Sequence, residues 1–154
     1  MKKLATALVL IGSLAAARQV QAKPLTLITK LRYFGGYSAY IALYLVDPHG
    51  HYVKTLWMAG GYPYYYHEMT DWFRRSRGDY KGLNGITGGS VGAGRTLTVH
   101  THVADALINA GYKIYVDVAS QGMWSDAMSV PLTTQESGKV IHGRNYVAGF
   151  EYRL

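Results

Sequence analysis

The stretch "YKIYVDV", residues 112 to 118, puts Tyr112, Ile114, Val116 and Val118 on one side and Lys113 and Asp117 on the other. A period of two predicts a strand with one buried face and one wet face. Similar runs rich in Val, Ile, Tyr and Thr recur between turn signals: Leu25 to Phe34, Tyr37 to Val46, Tyr52 to Met58, Thr96 to Val103, Ala127 to Thr133 and Tyr146 to Tyr152. The strand in "YKIYVDV" extends from Tyr112 to Ser120. "AYIALYLV", Ala39 to Val46, offers no polar face, as expected of a central strand or of one lying between a sheet and a covering element. Asp47-Pro48-His49-Gly50 then supplies a turn.

One segment breaks the strand pattern. In "YYYHEMTDWFRRSRG", residues 64 to 78, Met69, Trp72 and Phe73 recur at helical spacing. Arg74, Arg75 and Arg77 complement a helix C-terminus, and Gly78 is a natural cap. Trp72 and Phe73 are expected to bury against a sheet, with Arg74 and Arg75 solvated.

About seven strands and one short helix describe an all-β chain, a β-sandwich of immunoglobulin-like build. Ile41, Leu43, Ile114, Val116 and Phe150 are its expected core. The alternative is a small outer-membrane β-barrel, since the closing "AGFEYRL" alternates as barrel strands do. Uneven apolar faces, the Trp72 helix and the terminal Leu154 count against it.

Before Lys23, Lys2 and Lys3 precede an apolar run from Leu4 to Ala17, and Val20-Gln21-Ala22 supplies small residues. This reads as a cleaved secretory signal, residues 1–22, because the run is shorter than the roughly 20 residues of a membrane span. The mature chain, 23–154, is expected to be one domain. The whole chain carries +7, and removing Lys2, Lys3 and Arg18 leaves +4 on the mature part, without the clustered basic stripe of a nucleic-acid binder. With no cysteine, an exported chain must be held by its core rather than by disulfides.

Candidate chemistry gathers in "NGITGGSVGAG", residues 84 to 94. Gly88-Gly89-Ser90-Val91-Gly92 matches the G-x-S-x-G nucleophile elbow in form, but that elbow needs a helix after it, and Arg95 to Val103 reads as strand. A phosphate loop would need a Lys before its Ser or Thr. A long glycine-rich hairpin connection remains. His100 and His102 lie two apart on a strand and could chelate Zn or Cu from one face, though a pair is an incomplete site. Tyr62, Tyr64, Tyr65, Tyr66, Trp72 and Phe73 could stack on a planar ligand or serve as core.

"YVKTLWMAGG", "DWFRRS", "NGITGGSVGAG", "NAGYKIYVDVAS" and a closing strand, in this order, resemble the predicted periplasmic proteins of domain of unknown function family 2271. The resemblance runs from about Ser38 to the end. It implies an exported single-domain β-sandwich, linked in some members to extracytosolic redox or iron-acquisition systems. The loop also resembles the acceptor motif of the extracytosolic FMN transferase, with Asn84, Thr87, Gly88, Gly89 and Ser90 on the motif positions and Ser90 as the modified hydroxyl. Asn84 replaces an Asp there, and Gly89 an Ala. Three functions stay open: a periplasmic accessory of redox or metal acquisition carrying covalent FMN, with a membrane redox partner and Tyr64 to Tyr66 or Trp72 stacking on the flavin; a cofactor-free ligand- or protein-binding module; and a Zn or Cu binder at His100 and His102.

Overall fold

A computed structural model describes residues 21–154. The expected leader lies outside the described residues apart from Gln21 and Ala22. The described chain forms eight strands and one α-helix in the order β1 (Ala22–Leu31), β2 (Ala39–Val46), β3 (Tyr52–Ala59), α1 (Thr70–Ser76), β4 (Thr87–Gly88), β5 (Thr96–Ala104), β6 (Lys113–Ser120), β7 (Asp126–Pro131) and β8 (Val147–Arg153).

The strands form two sheets, ordered β5-β1-β8 and β4-β3-β2-β6-β7. Neighbours are antiparallel except β3 and β4. The larger sheet follows the G-F-C-C′-C″ order of a variable-type immunoglobulin domain, with β1 and β5 where strands B and E lie. Strand β8 flanks β1 as strand A would, although it comes from the opposite end of the chain. Both sheets are open, so the barrel alternative is overturned: the apolar faces meet each other rather than lipid.

The space between the sheets is filled by branched aliphatic side chains. Leu25, Leu27 and Leu31 of β1 face Ile41, Leu43 and Leu45 of β2 and Ile114, Val116 and Val118 of β6, with Phe150 and Tyr152 from β8. The period of two places these residues inward, and all five expected core residues are fully buried. Burial of each such side chain stabilises the fold by about 1.5 to 3 kcal/mol.

A third layer covers the other face of the larger sheet. Tyr40, Ala42, Tyr44 and Val46 of β2, with Met58 of β3, pack under Tyr66, Met69, Trp72 and Leu83. Strand β2 is apolar on both faces because it is covered on both.

Four expectations for this layer are corrected. Asp117, assigned to a wet face, is 0 % exposed, because α1 packs across β3 and β6 on that side. Trp72 points down into the layer, but Phe73, one helical step of about 100° further round, is 37 % exposed. Arg75 is tucked in rather than solvated: its guanidinium lies 4.8 Å from the Tyr115 ring centroid and bonds Asp71 and the Gly50 carbonyl. The helix ends one residue earlier than expected. Arg77 adopts the left-handed conformation (φ 55°), and the N–H of Gly78 reaches the Phe73 carbonyl in a Schellman-type closure.

Candidate functional site

Residues 84–92 do not form a hairpin tip, which corrects that expectation. After Asn84 closes a short 3-10 turn, the chain lies against the open edge of β3. The Met58 N–H donates to the Ile86 carbonyl, Thr87 and Gly88 pair with Met58 and Ala59, and the Gly60 N–H reaches the Gly88 carbonyl at 2.7 Å. Three residues later Val91 exchanges two backbone hydrogen bonds with Ala39, at 2.7 and 2.8 Å. The segment is thus an edge rib, pinned on both sides of Ser90. Glycine permits this close approach: a Cβ on Gly88 would sit 2.9 Å from the Trp57 ring. Gly89 faces open space instead.

Two clefts open in succession along the rib. One, of about 390 Å³, is lined by Tyr37, Tyr40, Tyr62, Tyr65, Ser90 and Gln121, with Ser38, Gly61 and Gly89. Tyr37 and Tyr62 leave 67 % and 71 % of their surface in solvent. The Gln121 amide donates to the Tyr65 hydroxyl at 2.6 Å, and the Tyr40 ring meets that of Tyr65 edge-on at 5.9 Å. The other cleft, of about 500 Å³, is lined by Tyr66, Tyr80, Asn84 and Thr87, with Pro63 and four glycines among others. The Tyr66 and Tyr80 rings stack at 5.9 Å, and the Tyr66 hydroxyl donates to the Gly60 carbonyl. Gly61 and the adjoining Gly88-Gly89 separate the two.

Tyr62 projects because Gly60 bends the strand exit. Gly60 has φ 148°, and a Cβ there would fall within 2.0 Å of the Tyr40 ring. Two carboxylates hold the covering layer to the sheet. Asp117 reaches up from β6 and accepts the Trp72 N–H at 2.9 Å, capping α1 from another element. Its Oδ1 has no partner among the described residues, and burial raises its pKa to about 7. Burial also works to raise Asp71, but the Tyr44 hydroxyl, Arg75 and Arg74 outweigh it and hold that carboxyl below its ordinary value. Burial and the bond to Asp71 push the Tyr44 phenol well up, so it remains a neutral donor at 2.6 Å.

The expected site residues therefore separate. Asn84, Thr87, Gly89 and Ser90 are exposed on the rib, and Ser90 lies on the rim of the smaller cleft. Gly88 is half-buried over Trp57. Trp72 is corrected as a stacking partner: it is completely buried, with its indole N–H donating to Thr55, and offers no face to a ligand. Of the tyrosine run, Tyr66 is buried, while Tyr64 and Tyr65 remain accessible. His100 and His102 are exposed on β5, on the other sheet, opposite Thr26 and Pro24. The Thr26 hydroxyl lies 3.2 Å from the His100 Nδ1. Among the described residues no three His, Asp or Glu side chains come together as a metal site would require.

Tyr37, Tyr40, Tyr80 and Gln121 were not expected as site residues. A signal for the first was present, because Gly-Gly-Tyr occurs twice, at 35–37 and 60–62, and delivers the two exposed tyrosines to one cleft. Gln121 had no signal, since only the pairing of β6 with β2 brings it there.

An immunoglobulin-like sandwich with a covering helix and a ribbed aromatic edge is the class this geometry defines. The family model described as "Predicted periplasmic protein (DUF2271)" matches residues 23–149, and the chain belongs to that family. No curated protein and no solved structure matches it significantly. Among the described residues no helix is long and apolar enough to cross a membrane.

Proposed function

We propose that the protein is an exported binding accessory of the periplasm, whose ligand seat is the tyrosine-lined edge around residues 84–92. The carrying observation is the pair of clefts along one backbone rib, where Tyr37 and Tyr62 stay in solvent although the fold buries most other large apolar groups. Exposed aromatic side chains around a concavity, with a few fixed polar groups, are the makings of a ligand site. A thermal-shift panel of periplasmic small-molecule classes tests this. At least one class raises Tm, and Tyr37→Ala with Tyr62→Ala removes the response without lowering the Tm of the free protein. No response in the wild type, or one that survives both substitutions, overturns the reading.

The exposed Ser90 hydroxyl on the cleft rim favours a second reading, in which an FMN transferase breaks the pyrophosphate bond of a flavin dinucleotide, transfers the FMN part to the Ser90 oxygen as a phosphoester and releases the nucleoside monophosphate, the hydroxyl proton passing to a base of the transferase. The flavin would then rest on Tyr37 or Tyr62, and the domain would pass electrons from a membrane partner in extracytosolic redox or iron acquisition. Intact mass of protein recovered from the periplasm with the transferase co-expressed decides it. An FMN increment absent from Ser90→Ala supports attachment, and an unmodified mass overturns it.

A further inference from the structure

We propose that the ligand is a neutral saccharide chain lying along the rib, an inference that rests on the binding reading above. The first ground is charge. The chain is basic overall, yet among the described residues no Lys, Arg, His, Asp or Glu lines either cleft. A phosphate- or carboxylate-bearing ligand would be held by guanidinium or ammonium groups, and a cationic one by carboxylates.

The second ground is the pairing of ring faces with two-way hydrogen-bonding groups. A pyranose ring has an apolar face whose C–H bonds carry partial positive charge, and the negative face of a tyrosine ring attracts it. Tyr37 and Tyr62 present such rings at the mouth of the smaller cleft, and Tyr80 is exposed at the larger. Ser90 and Gln121 also line the smaller cleft, and Asn84 and Thr87 the larger. Hydroxyls and amides both donate and accept, which matches sugar hydroxyls that do the same. A proline-rich peptide, the other occupant of tyrosine-lined grooves, offers mainly carbonyl acceptors. The hydrogen bond from Gln121 to Tyr65 fixes both side chains in advance, so little order is lost on binding.

The third ground is extent. The clefts adjoin at Gly61, and the glycines of the rib keep the ridge between them low. Two side-by-side seats fit consecutive sugar rings better than a single small molecule.

Amide chemical-shift mapping on the 15N-labelled mature chain tests this, with chitotetraose and maltotetraose as neutral probes, tetragalacturonate as the acidic one and a deca-proline peptide as the rival. Addition of at least one neutral oligosaccharide shifts Tyr37, Tyr62, Ser90 and Gln121 and leaves His100 and His102 unmoved. Tyr62→Ala abolishes the shifts, and Tyr62→Trp restores them. If the acidic sugar or the peptide shifts these residues and the neutral sugars do not, the saccharide inference falls while the binding reading stands. If no neutral probe shifts them, or Tyr62→Ala leaves the shifts intact, the saccharide inference also falls.

Discussion

The two faces of the larger sheet are built from different chemistry. Its inner face is aliphatic at its centre, with Ile41, Leu43, Leu45, Ile114, Val116 and Val118 packed against the smaller sheet. Its outer face holds Tyr40, Tyr44, Met58, Trp72 and the buried Asp117, tied through Trp72 and Tyr44 to a layer of short helical turns. Aliphatic packing is non-directional and fixes the sandwich. Aromatic rings with polar handles are directional, and they fix where α1 and Tyr66 sit. The difference teaches that the fold and the candidate site are carried by opposite faces of the same strands.

Truncation of each face makes the largest contrast. Trp72→Ala and Phe150→Ala each cost about 3 to 5 kcal/mol in a urea melt, the range for large buried aromatics. At low denaturant only Trp72→Ala removes the ligand response, because Phe150 supports the sandwich alone. Equal loss of binding in both variants would erase the distinction.

Asp117 gives the next largest effect. Its folded-state pKa is raised to about 7, against an unfolded value near 4. Between those values the folded chain keeps a proton that the unfolded chain has released. The contribution of this group is therefore full below about pH 4 and is lost as pH rises through about 7, by up to about 4 kcal/mol. Asp71 has the opposite sign: its depressed pKa contributes above its ordinary value and fails in stronger acid. Urea melts from pH 4.5 to 8 show stability falling with pH, and Asp117→Asn flattens the slope while its carbonyl still accepts the Trp72 N–H.

Smaller effects are expected at the surface of the layer. Arg75→Ala costs about 1 kcal/mol, since a half-buried ion pair and a cation–π contact are lost together. Arg74→Ala, whose side chain is largely exposed, costs less than about 0.5 kcal/mol. Tyr62→Ala is neutral within about 0.5 kcal/mol, because the ring packs against little. A large cost for Tyr62→Ala would place it in the core and remove it from the ligand seat.

Much of the inner face was legible from period alone. Val116 and Phe150 could be assigned because their strands declare an apolar side locally, whereas β2, apolar throughout, declared only that it was covered twice. The outer layer was legible only in part. Trp72 announced its burial by helical spacing with Met69, but the spacing could not distinguish Phe73, which turns aside. Asp117 defeats the periodic pattern because a charge in an alternating strand normally marks the wet face. The correcting hint was in the neighbours, since a strand paired with doubly apolar β2 shares its cover, and Tyr115 and Ala119 on the same side are not charged. The rib was not legible because glycine runs permit a hairpin equally well. Its pairing with Ala39, Met58 and Ala59 is long-range, and nothing local in "NGITGGSVGAG" encodes it.

The division between a sandwich that carries stability and an outer layer that carries the site is tested most directly by native-state hydrogen exchange on the wild-type chain. The Phe73 and Gly78 amides of α1 and the Gly60 amide held by the rib should exchange through an opening of lower free energy than Leu27 and Val99 in the smaller sheet. Two separate tiers, with the α1 and rib amides opening together, are the predicted result. A single tier, in which the α1, rib and smaller-sheet amides all exchange only on global unfolding, would contradict it.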